Sequence, residues 1–284
     1  MNARADLRPS PIAGTWYSSN PARLGAEIDR YLAAAQATMP PLEGQVIAVI
    51  TPHAGHRYSG RTAGYAFRSV QGCSPRVVAV LSPYHEYHPA MLLTSAHAYY
   101  ATPLGNLAVD RSALQRIDDS LKSHNLPRLY AIANDREHSL EIELPFLQRA
   151  LKDPFELLPL MVRARSPEIL RLLGESLAEI LAQQESLLVA STDLSHFFPL
   201  ETACKLDEFM LGQIEAFSPE GVLEAEARGT GFACGAPAVA ATLWAARALG
   251  GNRVVVLHHS TSADETGDPS SVVGYGAAVV LKSA

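Results

Sequence analysis

Six short stretches of this chain are dominated by apolar, largely β-branched residues that do not alternate with polar ones: 46–50 (VIAVI), 77–81 (VVAVL), 155–162 (FELLPLMV), 187–190 (LLVA), 254–257 (VVVL) and 272–281. A strand with one wet face alternates, whereas a strand covered on both faces stays apolar throughout. These runs therefore predict a sheet with a layer of helices on each side.

The intervening segments carry helical periodicity. Three of them open with a polar residue followed by proline, at Asn20-Pro21, Ser166-Pro167 and Ser218-Pro219, the pattern of an N-cap followed by the first helical position. Further helices are expected over residues 59–70, 111–124, 139–152, 201–216 and 235–249, with Ser139 as a natural N-cap. Strands alternating with helices give an α/β fold, a three-layer sandwich around a mixed, largely parallel central sheet. No repeat, linker or low-complexity tract interrupts the pattern, so residues 1–284 read as a single domain.

Polar clusters at the ends of the apolar runs carry the chemistry. Run 46–50 enters TPHAGH, run 77–81 enters SPYHEYH, run 187–190 enters STDLSH and run 254–257 enters HHST. Ligands of open α/β sheets bind beyond the carboxyl ends of strands. On this reading His53, His56, His85, His88, His196, His258 and His259 gather at one edge of the sheet. Such a gathering points to a metal or to acid–base work, because neutral imidazole is the commonest metal ligand and titrates near neutrality. An ordinary loop histidine is the plain alternative for any one of them.

A metal needs three or four donors converging from separate segments. His53 and His85 form the first candidate pair, since each lies just past a buried strand in a proline-containing turn. Cys234 lies in the glycine-rich loop GTGFACGAP that should open the helix over 235–249. A helix N-terminus lowers a thiol's pKa and favours the thiolate, while a small buried hydrophobe is the usual fate of a free cysteine. Asp193 and His196 are spaced to share one side of a turn, as an imidazole and its orienting carboxylate, the plain alternative being that Asp193 or Ser195 merely caps a short helix. His138, in the EHSLE run, faces the same edge on this reading.

Composition narrows the partners. With 23 Lys+Arg against 29 Asp+Glu and a net charge of −6, the chain has no basic run to track a phosphate backbone, so nucleic acid is not expected. The apolar runs are far below the ~20 residues that span a bilayer, and the N-terminal segment lacks a secretory apolar core. Three cysteines without a CxxC pair fit a reducing cytoplasm and no disulfide framework.

The motifs AGTWYSS (13–19), TPHAGHRYSG (51–60), SPYHEYH (82–88), EHSLEIELPFL (137–147), STDLSHF (191–197) and FACGAPA (232–238) together resemble the MEMO family. Its bacterial and archaeal members are called AmmeMemoRadiSam system protein B. The resemblance spans about residues 11–281 and implies a fold similar to the class III extradiol dioxygenases, non-heme iron enzymes. It implies a metal site in which His53, His85 and Cys234 are the ligands, the cysteine standing where the dioxygenases carry a glutamate. Asp193 and His196 match residues lining the same pocket, and Trp16 and Tyr58 match aromatic residues around the cleft of the animal member, described as a phosphotyrosine-peptide binder. Tyr84 completes the expected aromatic rim. The family name also implies a pathway link to an AMMECR1-domain protein and a radical-SAM enzyme.

These readings lead to three expectations. The first is a non-heme iron-dependent, dioxygenase-like redox enzyme on a small-molecule or peptide substrate, with Fe(II) as the metal, Cu or Zn being compatible with the softer thiolate set, and His196, Asp193 and His138 as its acid–base groups. The second is a non-catalytic metal- or peptide-binding protein on the same fold. The third makes Cys234 the nucleophile of a hydrolase or transferase with His196 as base.

Overall fold

The computed structural model describes residues 6–283. Its elements begin with β1 (Leu7–Arg8), α1 (Pro21–Gln36), β2 (Gln45–Thr51), α2 (His56–Arg68), β3 (Val77–Ser82), β4 (Leu92–Ser95), β5 (Tyr99–Thr102) and β6 (Gly105–Ala108). Then come α3 (Arg111–Ser123), β7 (Leu129–Ile132), a 3₁₀ turn (Glu141–Glu143), α4 (Leu144–Ala150), β8 (Glu156–Val162), α5 (Pro167–Leu181) and β9 (Ser186–Ser191). The chain continues through β10 (His196–Phe198), α6 (Leu200–Glu215), α7 (Pro219–Arg228), α8 (Ala236–Ala248), β11 (Arg253–Thr261), α9 (Ala263–Thr266) and β12 (Val272–Lys282).

Among the described residues the main sheet has nine strands in the order β10-β12-β2-β9-β3-β8-β4-β7, with β11 also paired to β12. Its centre, β2-β9-β3-β8, is parallel, and β12 and β4 flank it antiparallel. The parallel character is thus concentrated where both faces are covered: every residue of β3 is buried. Helices α1, α2 and α4 pack together on one face and α3, α5 and α8 on the other, which gives the three-layer α/β sandwich. A separate three-stranded sheet, β1-β5-β6, lies outside these layers.

The polar-Pro openings form as the sequence requires. Asn20, Ser166 and Ser218 cap α1, α5 and α7 by accepting from Arg23, Ile169 and Gly221 main-chain N–H groups. Two expectations are corrected. The helix expected over 139–152 is a 3₁₀ turn followed by the short α4, because Pro145 falls where a continuous helix would need its N–H and space for its ring. Ser139 is not the cap, since its hydroxyl donates to the Pro83 carbonyl at 3.0 Å. The apolar run 254–257 does not end its strand either: β11 continues through His258 and His259, opposite Ala277 and Gly276 of β12. Among the described residues no helix is long and apolar enough to cross a membrane.

Candidate metal centre

Parallel neighbours β2, β9 and β3 end side by side, so the turns beyond them meet. His53 follows β2, Asp193 follows β9 and His85 follows β3. The rings of His53 and His85 are 5.3 Å apart, edge to face. Cys234 arrives from the loop before α8, and its main-chain N–H donates to the Asp193 carbonyl at 3.2 Å. The next residue must be glycine, because a Cβ on Gly235 would lie 2.4 Å from the Ser191 carbonyl oxygen. This close approach carries the Cys234 sulfur to 3.1 Å from His53 Nε2. One donor atom from each of His53, His85 and Cys234 lies within 4.8 Å of the others.

Each imidazole is held from behind. His85 Nδ1 lies 2.9 Å from a Glu137 oxygen, and its main-chain N–H donates to the other oxygen at 2.6 Å. Glu137 also accepts from the N–H groups of His138 and Ser139. Burial alone would raise this carboxyl, but His85 and these donors outweigh it and hold Glu137 below the usual carboxylate range. Burial disfavours a charged His85, and Glu137 overcomes that to raise its pKa. His53 is different: Nδ1 meets the Ser191 hydroxyl at 2.9 Å, and burial, with His138 and His85 adding to it, keeps the ring neutral.

Asp193 does not orient His196. Its Oδ1 accepts from the main-chain N–H of His53 at 2.7 Å and of Ala54 at 3.2 Å, so it clamps the turn that carries His53. Burial raises its pKa to about 7 against those donors. His196 instead places Nδ1 2.8 Å from the Leu194 carbonyl, which fixes the Nδ1–H tautomer and leaves Nε2 an acceptor. Burial lowers the pKa of His196. For Cys234, burial and the nearby Asp193 push the metal-free thiol up, outweighing the lowering expected from the helix terminus.

The cleft above these groups has a volume of about 390 Å³ and is lined by Trp16, Tyr58, His53, His85, His138 and His196, with Asp193 and small neighbours. His138 stacks on His85 at 4.7 Å and touches the Trp16 ring at 4.2 Å; burial lowers its pKa to about 4. Tyr84 is buried outside this lining, with its hydroxyl 3.4 Å from Glu86. Among the described residues no Lys or Arg lines the cleft. A larger groove of about 870 Å³, beside α6 and β11, contains none of the candidate ligands.

Four of the seven gathered histidines lie elsewhere. His56 opens α2 and packs its ring against Phe146, His88 leans on Tyr130, His258 stacks on Tyr65, and His259 pairs with the buried Asp207 at 2.9 Å. The continuing strand β11 is what keeps the last two out of the cleft. Sequence reasoning saw Glu137 only as part of a capping run, although a carboxylate beside His138 in a loop was the available signal. The Ser191–Glu143 contact behind His53, at 2.8 Å, left no signal, since it is made by tertiary packing alone.

Fold and site together define an α/β protein in which the turns after two central parallel strands bring His53 and His85 together and the loop before α8 brings Cys234 beside them. Residues 8–279 match the family model described as Memo-like protein, and the chain belongs to that family. It is 33% identical over 232 residues to a MEMO1 family protein of Nitrosopumilus maritimus, covering 82% of this chain and 83% of the relative. A MEMO1 family protein of Aquifex aeolicus is 31% identical over 270 residues, covering 95% and 97%. One of Ignicoccus hospitalis is 30% identical over 285 residues, again covering 95% and 97%. Among solved structures, an uncharacterized protein of Escherichia coli K12 aligns with a TM-score of 0.47 at 13% identity, over 83% of this chain and 100% of that one.

Proposed function

We propose that this protein holds one transition-metal ion between His53, His85 and Cys234 and acts as a non-heme iron-dependent redox enzyme on a small organic substrate. The observation that carries the reading is the convergence of three donor atoms from three separate segments within 4.8 Å. The donor set fits such an ion: neutral imidazoles suit Fe, Cu and Zn alike, and a thiolate adds one negative charge and softness. Fe(II) in this set supplies redox chemistry with coordination positions left open.

The chain's own groups do the rest. Glu137 fixes His85 by its Nδ1, and Ser191 fixes His53 by its Nδ1, which leaves each Nε2 as the donor. His196, held as the Nδ1–H tautomer by Leu194, is a neutral base in the cleft. Trp16 and Tyr58 supply the apolar wall against which a ring or alkyl group packs, and a lining of histidines and aromatic rings without Lys or Arg favours a substrate without a phosphate.

The test is metal content of anaerobically purified protein by plasma mass spectrometry, with Cys234→Ala and the double variant His53→Ala, His85→Ala beside the wild type. Near-stoichiometric iron lost in both variants, followed by dioxygen uptake with a substrate panel, is the expected result. Copper or zinc in place of iron would redirect the chemistry. A second reading, a non-catalytic metal- or peptide-binding protein, draws on the exposed rings of Trp16 and Tyr58, 37% and 39% accessible. Iron-loaded protein that never consumes dioxygen, yet binds unmodified peptides in calorimetry, would favour it.

A further inference from the structure

The two imidazoles are backed by unlike partners, and counting protons behind His53 shows how. Ser191 Oγ has three neighbours: the Ser139 carbonyl at 2.6 Å, Glu143 Oε1 at 2.8 Å and His53 Nδ1 at 2.9 Å. A hydroxyl carries a single proton, and a carbonyl oxygen can only accept. The shortest contact therefore takes the Ser191 proton, because otherwise two lone pairs would face each other at 2.6 Å. Both remaining neighbours must then donate to Ser191 Oγ. For His53 this means Nδ1–H, the tautomer that leaves Nε2 to Cys234. For Glu143 it means an O–H.

We propose that Glu143 is a permanently un-ionised carboxylic acid that donates to Ser191 and, through it, positions His53. Its surroundings agree. The residue is 1% exposed, and among the described residues its other oxygen accepts from the Thr51 hydroxyl alone, at 3.3 Å. Among the described residues no Lys, Arg or His forms an ion pair with it, whereas Glu137 has one with His85. Burying a carboxylate without a cation is costly enough that the group takes a proton instead. Burial and the nearby Asp193 both push this carboxyl up.

The consequence is an asymmetric site. His85 leans on an ionised carboxylate, which raises the basicity of its ligating nitrogen. His53 leans on a hydroxyl already saturated by a neutral acid, which fixes its tautomer and adds no charge. Glu143 is a positioning residue here, and the part of the claim that concerns metal rests on the proposed ligand set.

The experiment has two arms on the full-length protein. Infrared difference spectra of the metal-free protein, wild type minus Glu143→Gln, should contain the carbonyl band of an un-ionised carboxylic acid that shifts in deuterium oxide. Its absence at neutral pH would overturn the proposal. Glutamine is isosteric with the neutral acid, and its NH2 can donate to Ser191 as the acid does. In the second arm Co(II) is titrated by its thiolate-to-metal absorption against a competing chelator. Glu143→Gln should stay within a few-fold of wild type, while Ser191→Ala should lose about 10- to 100-fold. A Glu143→Gln loss as large as that of Ser191→Ala would overturn the proposal. If wild type bound no Co(II) but the infrared band was present, the proposed metal function would fall and the protonation of Glu143 would stand.

Discussion

The carboxylate of Glu137 grips His85 at two points, with one oxygen 2.9 Å from Nδ1 and the other 2.6 Å from the main-chain nitrogen. This arrangement fixes both the position of the residue and the face its ring presents to the pocket. A glutamine at 137 keeps the shape but gives up the charge and one acceptor. Glu137→Gln should weaken metal binding by about 10- to 100-fold, the range seen when a partner behind a ligating histidine is lost. Chelator competition measures it, and unchanged affinity would show that the pair is only structural.

The buried His56 sets a pH dependence on stability. It is 2% exposed, burial lowers its pKa from 6.5 to about 4, and its Nδ1 has no hydrogen-bond partner among the described residues. Between those values the unfolded chain binds a proton that the folded one refuses, so stability is full above the unfolded pKa and is lost as pH falls toward the folded one. The whole window is worth about 3 kcal/mol. Other groups titrate nearby, with Asp193 raised to about 7 acting in the opposite sense. The measurement is therefore a difference: urea midpoints of wild type and His56→Gln at about pH 7 and about pH 4.5. The wild type should lose more stability than the variant on acidification, and equal losses would refute the assignment.

The candidate ligands were legible because each is tied to a feature that sequence displays directly. His53 and His85 come after continuous apolar runs, and Cys234 lies within a glycine-rich loop ahead of a helix. His258 and His259 look the same by that criterion, yet they stay within β11, whose residues after Val254 are mostly half-buried. A strand at the side of a sheet tolerates polar side chains, so the end of an apolar run is not the end of the strand. Asp193 was legible as a site residue but not in its role, since which main-chain groups a carboxylate meets depends on neighbouring strands. Glu143 illustrates the same limit, because the pairing of Thr51 with Ser191 between β2 and β9 is what brings its partners together.

Phe197 is 74% exposed and adopts a φ of +64°, a conformation that a bulky residue adopts only at a cost. It lies where the register of β10 against β12 shifts between His196 and Phe198, the irregularity beside which His196 meets the cleft. Phe197→Gly should relieve the strain and raise stability by about 1 kcal/mol, whereas Phe197→Ala keeps the strained backbone and should not. Urea unfolding of the two variants decides it, and a destabilised glycine variant would mean that the exposed ring contributes packing.

Arg8 connects the N-terminal strand to the loop that carries Glu137 and His138. Its guanidinium, 1% exposed, bonds Asp135 at 2.8 Å, Glu141 at 2.6 Å and the main-chain carbonyl of Glu137 at 2.7 Å, with the Tyr100 ring 4.8 Å away. Arg8→Met would leave the two buried carboxylates of Asp135 and Glu141 without their cation, a loss of about 3–5 kcal/mol by analogy with broken buried ion pairs. Arg8→Lys should recover only part of it, because a single ammonium cannot reach three acceptors in the geometry of a planar fork. Restoring neutrality is the informative step: adding Asp135→Asn and Glu141→Gln to Arg8→Met should regain much of the stability, since the charge imbalance is removed with the charge. Metal affinity should not return with it, because the hydrogen bond that Arg8 gives the Glu137 carbonyl is still missing and the loop behind His85 stays loose. Recovery of both together would place the role of Arg8 in charge balance alone.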